Sequence, residues 1–119
     1  MSHSTEIVNA RIDYATLGIE DHGIMTFMLG LDYGGSFQGF GGWALDLYDK
    51  ETKGRKGHPD SIIMIRRILE VVGVKDWKDL TGEYVRVRRE EGWGGTIQAI
   101  GHIVEGRWFE PHIYFKDVK

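Results

Sequence analysis

At 119 residues the chain fits one domain, long enough to bury a modest core and too short for two. Its 15 basic and 18 acidic side chains leave a net charge of −3, too mild to steer it onto DNA, RNA or an anionic membrane. The absence of cysteine excludes a disulfide frame, a zinc ribbon and thiol chemistry, and suits a reducing cytoplasm.

Four Trp, five Tyr and five Phe are a heavy aromatic load for this size, which raises the expectation of self-association or ligand stacking. The start, Met1 to Glu6, has no basic segment followed by an apolar one, and no run approaches the roughly 20 apolar residues that span a bilayer. The expectation is a protein neither exported nor membrane-embedded, a single domain over 1–119 with residues 1–5 as a flexible arm.

Over residues 7–17, Val8, Ala10, Ile12 and Tyr14 alternate with Asn9, Arg11 and Asp13, a period of two that argues for a half-buried strand. Glu20, Asp21, His22 and Gly23 read as a turn, and Met25, Phe27, Leu29 and Leu31 repeat the alternation, which together make a β-hairpin. Residues 32–48 then interleave glycines with Phe37, Phe40 and Trp43, and the chain is organised around this stretch. Glycine in such number permits sharp bends or the close approach of another surface. A third strand is expected over residues 43–48, followed by an exposed polar loop over 49–59.

Asp60 or Ser61 is placed to cap a helix running through Val72, because Ile62, Ile65, Ile68, Leu69 and Val72 recur at three- and four-residue steps and Gly73 supplies a stop. Residues 76–80 read as one further short turn of helix. In residues 84–89 Val85 and Val87 face one way, and Tyr84, Arg86 and Arg88 the other. Residues 90–95 form a glycine-rich hairpin turn and 96–104 the returning strand. An irregular tail is expected to pack back through Trp108, Phe109, Ile113 and Phe115. The fold class is α+β: an antiparallel β-sheet of about five to six strands packed with one main α-helix and a short second helix.

The pairs Gly34-Gly35 and Gly41-Gly42 lack the Lys-Ser/Thr end of a phosphate-binding loop and precede a strand, so bends or bulges are the simpler reading. His3, His22, His58, His102 and His112 lack the spacing of common zinc sites, so no metal and no cofactor is expected. No serine sits in a nucleophile elbow, and nothing marks two of Asp13, Asp32, Asp46 and Glu83 as an acid–base pair. The chain is read as a binder and not an enzyme.

The most suggestive cluster is Arg66 and Arg67 on the helix, Arg86, Arg88 and Arg89 on the strand, and Trp93, Trp108 and Phe109 near the end. The residues taken as the site are Phe40, Trp43, Arg66, Arg67, Arg86, Arg88, Trp93, His102, Arg107, Trp108 and Phe109. Guanidinium forks grip phosphates and stack on bases, and flat rings sandwich a base, so such a set suits a small anionic nucleotide. The plainer alternative is a solvated arginine face paired with Glu70, Glu83, Glu90 and Glu91.

The run Asp32-Tyr33-Gly34-Gly35-Ser36 with Gln38-Gly39-Phe40-Gly41-Gly42, preceded by Leu17-Gly18-Ile19-Glu20-Asp21-His22-Gly23, resembles a family of small proteins carried by tailed phages and prophages. Arg67-Ile68-Leu69-Glu70-Val71-Val72-Gly73-Val74 and Ala99-Ile100-Gly101-His102-Ile103-Val104 with Trp108-Phe109 resemble it too. That family is similar to the Thoeris anti-defence sponges, phage proteins that sequester a cyclic ADP-ribose isomer and, in some cases, cyclic oligonucleotides. The resemblance implies a non-catalytic homo-oligomer in the host cytoplasm, with ligand recesses between subunits. The eleven site residues are chosen by their chemistry and are not carried over from the sponges. Two other expectations stand beside this one: a protein–protein inhibitor of a host defence complex resembling an anti-CRISPR, and a minor virion component.

Overall fold

A computed structural model describes residues 4–92 and 94–115, with the side chain of Phe115 left aside. The described residues form eight strands: β1 (Thr5–Ile19), β2 (Met25–Asp32), β3 (Phe37–Gly41), β4 (Asp46–Asp49), β5 (Gly54–Gly57), β6 (Tyr84–Glu90), β7 (Ile97–His102) and β8 (Trp108–Phe109). Six of them form one sheet in the order β3-β2-β1-β6-β7-β8, and every neighbouring pair is antiparallel. β4 and β5 make a separate hairpin. Helix α1 (Ser61–Val72) is the main helix, Trp77–Leu80 is a 3₁₀ turn, and α2 (His112–Phe115) is a single short turn. This is the α+β architecture expected, with six strands in the main sheet.

Among the described residues, one face of the sheet is covered and the other is not. Ala10, Ile12, Phe27, Leu29, Leu31, Phe40, Val85, Val87, Ile100 and Phe109 point to the covered face. There Met64, Ile68, Val71 and Val72 of α1 close over them, with Leu80 from the 3₁₀ turn. Phe27 sits at the centre of a ring cluster, with centroids of Phe40, Trp43 and Trp77 at 6.5, 5.9 and 5.8 Å. The helix ends where Gly73 takes a left-handed φ of 95° and its N–H bonds the carbonyl of Leu69.

Several local expectations are corrected. The third strand of the sheet is Phe37–Gly41, inside the glycine-aromatic stretch itself, while Asp46–Asp49 turns away to pair with Gly54–Gly57. The segment expected to be a loop over 49–59 therefore contains a strand, built without apolar alternation. Ile62 is exposed and Met64 is buried, so the helix shows the core a face rotated from the one its isoleucines suggested. Tyr14 does not join Val8, Ala10 and Ile12: a bulge at Asp13 shifts the register after Ile12 and turns Tyr14 to the uncovered face. There its ring lies on the bare backbone of Gly30, where a Cβ would come within 2.1 Å of the ring. Ile113 is exposed rather than packed on the sheet. Residues 1–3 of the expected flexible arm lie outside the described residues, and Thr5 already pairs with Glu90.

Among the described residues no helix is long and apolar enough to cross a membrane.

Candidate functional site

The alternation of β6 sends Val85 and Val87 into the core and leaves Arg86 and Arg88 on the uncovered sheet face. Across the sheet Arg86 stands opposite Gly101, and Gly101 opposite Trp108. Because Gly101 has no side chain, the indole of Trp108 lies down on the backbone of β7; a Cβ at Gly101 would meet it at 2.6 Å. The ring thereby reaches both arginines, whose guanidinium carbons stand 4.9 Å (Arg86) and 5.1 Å (Arg88) from its centre.

Each cation has a holding partner. Arg86 donates from Nε to the carbonyl of His102 at 2.8 Å and from Nη2 to that of Glu105 at 2.7 Å, and among the described residues it has no carboxylate partner. Arg88 donates to Glu110 at 2.9 Å. Among the described residues Arg86 is therefore an oriented cation without a counter-charge beside a flat ring, and Arg88 is a neutralised one.

The other expected site residues lie elsewhere. The ring nitrogen Nδ1 of His102 accepts the N–H groups of Val104 and Glu105, which makes it the brace of the turn before β8. Arg107 pairs with Glu105 and lies beside Gly73 at the C-terminal end of α1, where a cation complements the helix dipole; its Nε is buried without a partner among the described residues. Arg66 pairs with Glu70 one turn along α1, and Arg67 lies between Glu70 and the carbonyl of Trp108. Phe40 and Phe109 are buried in the core, where alternation of β3 and the pairing of Phe109 with Ile100 put them, so neither ring offers a face to a ligand. Trp43 packs half-buried against Phe27 and Phe40. Trp93 lies outside the described residues. The expected set thus splits, and Arg86, Arg88 and Trp108 are the three that meet.

Arg89, expected beside Arg86 and Arg88, instead belongs to a second polar cluster. Arg89 follows the inward parity of Val85 and Val87, and its Nε donates to Glu6 at 2.9 Å while its guanidinium lies 4.4 Å over the ring of Tyr33. Tyr33 donates to Gln38 at 2.7 Å, and the amide of Gln38 donates to the carbonyl of Gly95 at 2.7 Å. Burial raises the Tyr33 phenol above its ordinary value, and the charge of Arg89 opposes this in part. Tyr33, Gln38 and Arg89 line a recess of about 320 Å³ with Ser36, Phe37 and Gly94. Strict alternation in residues 84–89 already separates Arg89 from Arg86 and Arg88, and that was the available signal.

A third feature is apolar. Leu17, Ile19, Met25, Leu45, Ile62 and Ile65 line a groove of about 390 Å³ beside the β1–β2 hairpin, with Arg55, Lys56 and His58 on its rim. Among the described residues no three His, Asp or Glu side chains gather to hold a metal ion.

Compared with known proteins, the chain matches no family model, no curated relative and no solved structure.

Proposed function

We propose that the protein is a non-catalytic binder that captures a small anionic, base-bearing molecule on the uncovered sheet face. The observation that carries this is the half-buried Trp108 ring laid on Gly101 and flanked by Arg86, a cation held in place by two backbone carbonyls and, among the described residues, without a carboxylate to neutralise it. A base stacks on the indole, and the remaining N–H groups of the two arginines take the phosphates. A second copy of the chain completes the capture, as the resemblance to the phage sponges implies. The resemblance to phage sponges supports the narrower reading: a phage-encoded anti-defence protein that sequesters a cyclic ADP-ribose isomer, or cyclic oligonucleotides, in the host cytoplasm without cleaving it.

Isothermal titration with cyclic ADP-ribose isomers and cyclic di- and trinucleotides tests this. Binding that is lost in Arg86→Ala and Trp108→Ala, with the ligand released intact on heat denaturation, is the expected result. No heat with any of these ligands, or release of a cleaved product, removes the reading.

A second reading has an observation of its own. Ile7, Tyr14, Phe37 and Tyr84 are large, exposed and share that same sheet face, the composition of a protein-docking surface. A protein–protein inhibitor of a host defence complex would retain a stoichiometric host protein and no small molecule on recovery from lysate.

A further inference from the structure

The far half of the longest strand has a neighbour on one side only. β1 runs for 15 residues, yet β6 accompanies only residues 5–11. At Ile12 the N–H is taken by the carbonyl of Glu83 and the carbonyl by the N–H of Gly82, and there the cover ends. At the hairpin end the N–H of Glu20 bonds the carbonyl of Ile24, so the alternation of an antiparallel ladder turns the backbone groups of Thr16 and Gly18 toward β2 and those of Ala15, Leu17 and Ile19 outward. Among the described residues nothing takes the N–H and C=O groups of those three.

The side chains of the same three residues lie on the helix-bearing side, as Leu17 stands opposite the buried Phe27. There Leu17 and Ile19 line the apolar groove of about 390 Å³ together with Ile62 and Ile65 of α1. An open strand edge beside such a groove offers a peptide hydrogen bonds for its backbone and space for every second side chain. Ile19 and Ile62, 74% and 78% exposed, are what such a peptide would cover.

The groove is cationic at its Ile19 end. Met25 stands opposite Ile19, and its N–H bonds Asp46 of β4. Arg55 neutralises Asp46 at 2.8 Å, whereas Lys56 on the same rim has no ion pair among the described residues. The Nδ1 of His58 accepts the N–H of Asp60, which leaves Nε2 to donate, and α1 starts here with no acidic residue in its first turn. Glu20, next along β1, is engaged by the N–H groups of His22 and Ile24.

We infer that the groove takes a short extended peptide segment of a partner protein, paired antiparallel to residues 15–19. Its first residue is acidic and stands beside Lys56, and its third and fifth are apolar and enter the groove opposite Leu17 and Ala15. The inference does not depend on the ligand proposed for the Trp108 face. The segment ends or turns away before Ile12, because Gly82 and Glu83 already hold that backbone. Self-pairing about Thr16 would push Glu20 of a second copy against those two residues, so a second copy is not the occupant. A lipid chain would fill the groove and leave the edge unpaired.

Titration of the full chain with the capped hexapeptide Glu-Thr-Val-Thr-Val-Thr, followed by amide NMR and hydrogen exchange, tests this. Saturable binding is expected below about 1 mM. Exchange should slow at Ala15, Leu17 and Ile19 and change little at Thr16 and Gly18, which β2 already protects. The same peptide N-methylated at both valines should not bind. Lys56→Glu, at an exposed position, should weaken binding about three- to tenfold, and a peptide beginning with lysine should recover that loss. No saturation by about 1 mM, equal binding of the methylated peptide, or indifference to Lys56→Glu overturns the proposal. So does decanoate if it shifts Leu17, Ile19 and Ile62 where the peptide does not, or protection of residues 15–19 that grows with protein concentration alone.

Discussion

Gly101→Ala perturbs the uncovered face by one methyl group. The new Cβ would stand 2.6 Å from Cε3, 2.7 Å from Cδ2 and 2.9 Å from Cζ3 of Trp108, well inside van der Waals contact, and the strand backbone beneath is held by ladders on both sides. The indole must therefore lift away from β7. Lifting it weakens two cation–ring contacts worth about 0.5–1 kcal/mol each, and some ring burial with them. Against this, alanine stiffens the unfolded chain by about 0.4–1 kcal/mol. The net expectation is destabilisation of up to about 1.5 kcal/mol, which at a urea m-value of about 1.5 kcal/mol/M lowers the unfolding midpoint by up to about 1 M. Urea unfolding measures the first quantity. Fluorine NMR of 5-fluorotryptophan protein, with one signal for each of the four tryptophans, measures the second. The Trp108 signal should move while those of Trp43 and Trp77 stay, and ligand binding should weaken in parallel. An unchanged midpoint with an unmoved Trp108 resonance would refute the stacked geometry and with it the platform.

Phe27→Ala removes a fully buried ring in contact with three others and is expected to cost about 3–5 kcal/mol, read from urea or thermal unfolding; a loss below about 1 kcal/mol would mean that the ring cluster is not the centre of the core. Arg89→Gln leaves Glu6 without its partner and Tyr33 without its cation, at about 1.5–3 kcal/mol, and amide exchange should speed up in residues 33–38; equal exchange rates would show that the β2–β3 turn is held by something else. At the hairpin tip the His22 imidazole is raised above its ordinary 6.5 by its hydrogen bond to Glu20, and the Glu20 carboxyl is lowered below 4.5 by the same bond. The His22 contribution is full below 6.5 and lost as pH rises through the folded value. The Glu20 contribution is full above 4.5 and lost as pH falls through its folded value, so the pair is complete between the two. An NMR titration of His22 should give a midpoint above 6.5 that returns toward it in Glu20→Gln, and an identical midpoint in that variant would exclude the pairing.

What the amino-acid order determines by itself is local. Period-two runs specify β1, β2, β6 and β7, and Gly73 together with three- and four-residue apolar steps specifies α1, because each depends only on neighbours within a few residues. The same alternation separates Arg86 and Arg88 from Val85 and Val87 before any fold is known. Tertiary structure alone decides which distant residue completes that face. Trp108 reaches the arginines because β7 and β8 lie beside β6 and because Gly101 leaves the space between them, neither of which is a property of residues 84–89. Phe40 and Phe109 carry the same ring chemistry as Trp108, and strand parity sends them to the core instead. The bulge at Asp13 and the end of β6 cover at Arg11 are likewise invisible in a periodic pattern, since one inserted residue or one shorter neighbour reverses a face or opens an edge without altering the composition.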